Sequence, residues 1–115
     1  MRPLWYVPLA LLPSVVFAAG PAASAGDPTA GKSVYAANCT ACHGGAGNGR
    51  GPAAIALTPP PTDFTSATWA AGRSDTDLVL AIKSGRPGTS MTAFTTLSDA
   101  DLANVVAYLR TLSPP

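Results

Sequence analysis

Two thiols and an imidazole stand within five consecutive residues, Cys39-Thr40-Ala41-Cys42-His43. Thiols three positions apart fall close together on one helical turn, where both can add to the two vinyl groups of a single porphyrin, and the adjacent imidazole then points at its iron. That is the chemistry of one covalently attached haem c, bound through Cys39 and Cys42 with His43 as an iron ligand. The sequence holds no other cysteine and no other histidine, so little is left for rival chemistry.

Other chemistries fit the same residues less well. A disulfide-exchange Cys-x-x-Cys belongs to alternating strands and helices, and no convincing strand run occurs between Gly26 and Pro115. Structural zinc wants four Cys or His ligands in a tetrahedron; this chain offers three, of which Cys42 and His43 are neighbours whose side chains diverge. A plain disulfide or a buried thiol pair leaves His43 without a reason. The glycine-rich run from Gly44 to Pro52 invites comparison with a phosphate cradle, but it lacks the lysine and hydroxyl of a P-loop and no strand precedes it. It is a loop.

A six-coordinate iron needs a second axial group. Met1 is the initiator, so Met91 is the sulfur candidate. It lies in a stretch of loop character, Gly85-Arg86-Pro87-Gly88-Thr89-Ser90, far enough from His43 for the chain to pass round the haem and return on the opposite face. A lone methionine is commonly core filler; its uniqueness and loop position favour ligation here.

The elements that must position these groups are helical. Asp27 followed by Pro28 is a helix start, and the helix runs toward Cys39 with Gly31 and Tyr35 on one face. Glycine inside a helix costs about 1 kcal/mol relative to alanine, which signals close approach of another backbone. Ala53 to Leu57 suits a short helical turn, and Pro59-Pro60-Pro61 an extended, rigid strap. Ser74 and Asp77 form a capping box for a helix burying Leu78, Ala81 and Ile82 and stopping at Gly85. Ser98 and Asp101 begin the last helix, Leu97 staples to Leu102, and Leu102, Val105, Val106, Leu109 and Leu112 follow at helical spacing until Pro114. This stripe reads as a core face. The fold class is therefore all-α, with three to four short helices wrapped around the haem. A domain of about ninety residues buries little core alone, so the cofactor is expected to double as the centre of the fold.

Arg2, the apolar stretch Leu4 to Ala19 and the small-residue pattern Ala23-Ser24-Ala25 read as a signal peptide over 1–25, with the domain over 26–115. Pro8 and Pro13 argue against a regular membrane helix; an uncleaved anchor is the alternative, and only then is membrane contact expected. Lys32, Arg50, Arg73, Lys83, Arg86 and Arg110 balance Asp27, Asp63, Asp75, Asp77, Asp99 and Asp101. Such a balance gives no footprint for nucleic acid or anionic lipid and only modest steering toward a charged partner. The aspartates sit mainly at helix starts as caps, so no acid-base or nucleophilic constellation points to an enzyme.

From Asp27 to Leu112 the sequence resembles the small bacterial class I cytochromes c. Gly31, Tyr35 and the run from Cys39 to His43 match the first helix of that family, Gly51-Pro52 its loop on the histidine side, Met91 with Phe94 its methionine loop, and Val105 with Tyr108 its closing helix. The resemblance implies the cytochrome c fold, with Gly31 at the crossing of the first and last helices among Tyr35, Val105 and Tyr108. It implies that the carbonyl of Pro52 accepts a hydrogen bond from His43. It also places Trp69 and Arg73 where such proteins often keep donors to the haem propionates, although an indole there serves equally as core. One departure is that Thr92, not proline, follows the methionine.

With His43 and Met91 both on the iron no site is open for oxygen or substrate, and the expected function is single-electron transfer between redox-partner proteins. Thr40, Ala41, Ala93 and the Pro87 loop would form a small docking patch at the haem edge for transient complexes. A haem-based ligand binder or sensor, and an electron-relay subunit of a larger oxidoreductase, are the alternatives. Export to the periplasm follows from the leader and from where bacteria of this family attach haem c.

Overall fold

The computed structural model describes Pro8, residues 10–14 and residues 26–114. The cleavage pattern at Ala23-Ser24-Ala25 lies outside the described residues. Among the described residues there is no strand, and no helix is long and apolar enough to cross a membrane.

The described residues form four helices in order, α1 (Pro28–Asn38), α2 (Thr40–His43), α3 (Asp75–Ser84) and α4 (Asp99–Leu112), with a 3₁₀ turn at Ala54–Ala56. Each long helix starts for the reason read from its residues. The Asp27 carboxylate accepts from the Thr29 N–H ahead of a proline in the first turn. Ser74 and Asp77, and then Ser98 and Asp101, exchange side-chain and backbone hydrogen bonds as complete capping boxes. α3 ends where Gly85 takes φ 72°. The first helix stops one residue earlier than the attachment run: Cys39 closes α1 by donating to the Tyr35 carbonyl, and the run continues as the separate turn α2.

The main packing is α1 against α4. At Gly31 a Cβ would run into the Asn104 carbonyl and lie 3.0 Å from Tyr108 Cβ, so only glycine lets the two backbones cross this closely. Beside the crossing, the Asp27 backbone N–H donates to Asn104 Oδ1 at 2.8 Å. Tyr35, 1 % exposed, and Val105, 0 % exposed, fill the space beneath, with the rings of Tyr35 and Tyr108 5.2 Å apart. The expected placement of Gly31, Tyr35, Val105 and Tyr108 is thus observed.

The remaining core, Phe64, Trp69, Leu78, Ile82, Leu102, Val106 and Leu109, joins α3 and the intervening loops to α4, and Leu97 packs against it ahead of Leu102, as the staple predicts. The strap through Pro59-Pro60-Pro61 is fastened to the glycine-rich loop by the Phe64 N–H, which donates to the Gly47 carbonyl at 2.7 Å.

Candidate haem site

The core is not closed on itself. Phe64, Ile82, Val105 and Leu109 also form walls of a cavity of about 360 Å³. Into the same cavity come Cys39, Cys42, His43 and Met91, which are the two thiols, the imidazole and the thioether singled out by residue type and spacing. The polyproline strap forms another wall. The charged residues of the lining are two arginines, Arg73 and Arg86, with no carboxylate beside them. An apolar slot with paired thiols, an imidazole, a thioether and two guanidinium groups fits a porphyrin plate carrying carboxylate arms.

His43 is held by α2 and oriented from outside it. Its Nδ1 lies 3.0 Å from the Thr62 carbonyl; since a carbonyl only accepts, Nδ1 carries the proton and Nε2 keeps the lone pair a metal needs. The ring stacks on Phe64 with centroids 4.4 Å apart and planes inclined by 25°. Burial lowers the His43 pKa, opposed by the bond to Thr62, so the neutral, ligating form is the favoured one.

The resemblance implies the Pro52 carbonyl as the partner of His43; in the structure the Thr62 carbonyl stands there instead. Gly51 and Ala53 donate to the carbonyls of Cys42 and Ala41 at 3.0 and 2.9 Å. These bonds fasten the Pro52 turn to the backbone of the attachment run, where Pro52 is exposed and shapes the turn. The strap residue Thr62 lines the cavity and meets the ring in its place.

Both cysteines are free and half-buried. Burial, with Cys42 nearby, pushes the Cys39 thiol up to about 11, so the sulfur carries its proton at neutral pH. Addition of S–H across a vinyl group needs that proton and no external oxidant. Among the described residues no group of three or more His, Cys, Asp or Glu side chains could hold a metal ion.

Met91 is half-buried against the core, on the loop after α3. That loop is pinned at both ends: Arg86 N–H donates to the Met91 carbonyl at 3.1 Å, and Phe94 N–H donates to the Ile82 carbonyl of α3 at 3.0 Å. The chain therefore restrains its methionine loop without a proline at position 92.

Trp69 is 6 % exposed, and its Nε1 is a buried donor with no partner. A buried N–H left unpaired costs roughly 1–3 kcal/mol, but Trp69 is not among the residues lining the cavity. Trp69 packs on Phe64 with ring centroids 5.0 Å apart in an edge-to-face arrangement, so it serves the core. Arg73 lines the cavity directly.

Three contributions escaped the sequence reading. Thr62 acts through a backbone carbonyl, which no side chain announces. Phe64 supports His43 by stacking, and its place just past the polyproline strap was the available signal. Arg110 clamps the segment carrying Trp69: it donates to the Asp75 carboxylate at 2.9 Å and to the carbonyls of Arg73 and Ala70 at 2.6 and 3.3 Å, with its guanidinium carbon 5.8 Å from the Trp69 ring centroid.

Comparison with known proteins agrees with this geometry. A family model described as cytochrome c matches residues 28–113. A cytochrome c6 of Picosynechococcus is 39 % identical over 95 % of this chain and 92 % of its own length. The CcoP subunit of a cbb3-type cytochrome c oxidase from Azospirillum is 34 % identical over 81 % of this chain, which spans only 31 % of that longer protein. Among solved structures, a chain of a reducing HAO-like protein complex from Kuenenia stuttgartiensis superposes with a TM-score of 0.66 at 28 % identity, over 79 % of this chain and 44 % of that one. Cytochrome c6 of the diatom Phaeodactylum tricornutum superposes with a TM-score of 0.54 at 30 % identity, over 73 % and 91 %. With a matching family model over nearly all of the folded residues and the sulfur pair of Cys39 and Cys42 in one cavity, the chain belongs to the cytochrome c family, as a small class I c-type cytochrome that carries single electrons on one covalently attached haem c.

Proposed function

We propose that this chain is an exported carrier in which His43 and Met91 are the two axial ligands and partner proteins dock transiently at the haem edge beside the attachment run. The observation that carries the reading is that the sole imidazole and the Met91 thioether line one cavity together with Cys39 and Cys42. When bound, the haem supplies reversible one-electron chemistry, biased toward the ferrous form by a thioether ligand.

The chain's own residues hold that chemistry closed. Thr62 takes the part that the resemblance gives to Pro52 and fixes the His43 tautomer. The Arg73 guanidinium, which lines the cavity, would offer a donor to the propionate carboxylates; the unpartnered Trp69 Nε1–H, outside that lining, is the second candidate. Phe64, Ile82, Val105 and Leu109 exclude water from the apolar part of the site.

The docking patch consists of Ala41, Ala93 and Pro87, all exposed, with Thr40 half-buried beside them. No charged residue occurs from Gly51 to Thr62, so the neighbouring surface favours small, weakly polar, short-lived contacts with redox proteins. Neither nucleic acid nor membrane is a partner in this reading once residues 1–25 are removed as a signal peptide. The domain over 26–115 begins where Asp27 is already bonded to Asn104, and export places it in the periplasm.

A relay role within a larger oxidoreductase is the second reading, favoured by the similarity to part of CcoP and to a chain of an HAO-like complex. Purification of the native protein separates the two, as a free carrier emerges alone and a relay subunit in a stable complex. Ligation is tested by the ferric absorption spectrum with the covalent mass: attached haem and a methionine-to-iron charge-transfer band are expected, with the band lost in Met91→Ala. Carbon monoxide binding avidly to the reduced parent protein would instead indicate a ligand binder.

A further inference from the structure

Both backbone polar groups of Met91 are tied to Arg86, the carbonyl directly and the N–H through Thr89. The Met91 carbonyl accepts from the Arg86 N–H at 3.1 Å. The Met91 N–H donates to Thr89 Oγ1 at 3.2 Å, and that same hydroxyl gives its proton to the Arg86 carbonyl at 2.7 Å. The Thr89 backbone N–H donates to this carbonyl as well, at 3.1 Å. Arg86 thus grips residue 91 twice, once directly and once through the hydroxyl of Thr89. A hydroxyl can relay in this way because it donates one hydrogen bond and accepts others; a valine of the same shape does neither.

The rest of the loop makes this relay matter. Gly85, at φ 72°, lets the chain reverse tightly, with the position a Cβ would take lying 2.8 Å from the Met91 carbonyl oxygen and 2.9 Å from the Ala93 nitrogen. On the far side, the Phe94 N–H is anchored to Ile82. Between these points Thr92 is exposed and has no ring to fix its φ, the restraint a proline would impose there.

We propose that Thr89 is the positioning residue for the thioether ligand: its hydroxyl holds the backbone of residue 91 from the upstream side and so determines how firmly the sulfur stays in place. This rests on Met91 being the ligand. Removing the hydroxyl leaves the exposed Met91 N–H to water in place of its anchor to the loop and enlarges the population of loop conformations in which the sulfur is withdrawn. A competing small ligand gains affinity in proportion to that population.

The test uses the haem-loaded protein with Thr89→Val, Thr89→Ser and Met91→Ala. In Thr89→Val, carbon monoxide affinity of the reduced protein rises about five- to tenfold, the scale of one to two lost hydrogen bonds, and the methionine-to-iron band of the ferric protein weakens relative to the parent. Thr89→Ser stays within about twofold of the parent because the relay is kept. The proposal is overturned if Thr89→Val lowers only the unfolding midpoint and leaves carbon monoxide affinity and the band unchanged, or if Thr89→Ser behaves like Thr89→Val. Met91→Ala separates the two levels: retention of the band in that variant sinks the ligand reading itself, whereas its loss there alongside a parent-like Thr89→Val sinks only the role of Thr89.

Discussion

His43 and Phe64 lie ring on ring, 4.4 Å between centroids and 25° from parallel, so the imidazole is located by two contacts at once: the Thr62 carbonyl at Nδ1 and an aromatic face beneath. Phe64 also meets Trp69 and Tyr35 edge to face. Truncation in Phe64→Ala removes a buried ring shared by three neighbours and should cost about 3–5 kcal/mol, measured as the change in denaturant midpoint of the haem-loaded protein. Phe64→Leu should recover more than half of that loss.

Gly31→Ala presents the opposite problem, an added atom where the α1 and α4 backbones cross. The intrinsic helix preference of alanine favours the change by about 1 kcal/mol, but the new methyl meets the Asn104 carbonyl, which is part of a helix and cannot step aside. Overpacking wins, and a net loss of about 2 kcal/mol or more is expected in thermal or chemical unfolding. Gly45→Ala, where nothing stands within 4 Å, should stay within about 0.5 kcal/mol.

Tyr35 ties stability to alkaline pH. Its hydroxyl donates to the Gly44 carbonyl at 2.6 Å, and burial, followed by the nearby Cys39 and Tyr108, raises its pKa from 10.0 to about 12. In the unfolded chain the phenol ionises from pH 10, whereas in the fold it stays protonated until about 12. Its contribution is therefore full below pH 10 and is lost as pH climbs through this window. Tyr35→Phe should be about 1 kcal/mol less stable near neutrality for want of one hydrogen bond, and the gap to the parent should close as the window is crossed, in denaturation series at increasing pH.

Arg110 and Asp75 form an ion pair in which Asp75 is 63 % exposed, so Asp75→Asn should change stability by no more than about 1 kcal/mol. Arg110→Met removes in addition the donors to the Ala70 and Arg73 carbonyls and should cost about 2–3 kcal/mol. It should also alter Trp69 fluorescence, because the guanidinium beside the indole is lost.

Much of this was legible from residue types. Helix starts at Asp27, Ser74 and Ser98 are written in short-range capping chemistry, and the side-chain set Cys39, Cys42, His43 and Met91 is defined by reactivity. What stayed hidden was carried by backbone atoms or by distant side chains. The carbonyl facing His43 could belong to any residue of a passing loop, and the choice of Thr62 over Pro52 follows from two hydrogen bonds that fasten the 51–53 turn to α2. The break at Cys39 between α1 and α2 has no residue signature either. The reach of Arg110 across to Asp75 depends on how α4 lies against the preceding loop, which spacing along one helix does not encode.

The sharing of walls between the core and the cavity ties the stability of the fold to its cofactor. Phe64, Ile82, Val105 and Leu109 belong at once to the core and to the cavity lining, so in a polypeptide of this size a bound haem would share the stabilising contacts of the core. Cys39→Ala with Cys42→Ala should accordingly give a chain that melts without a sharp transition and is cleaved readily by proteases. Abundance of the polypeptide should then follow the supply of tetrapyrrole, an outcome read by comparing its level in cells grown with and without haem synthesis.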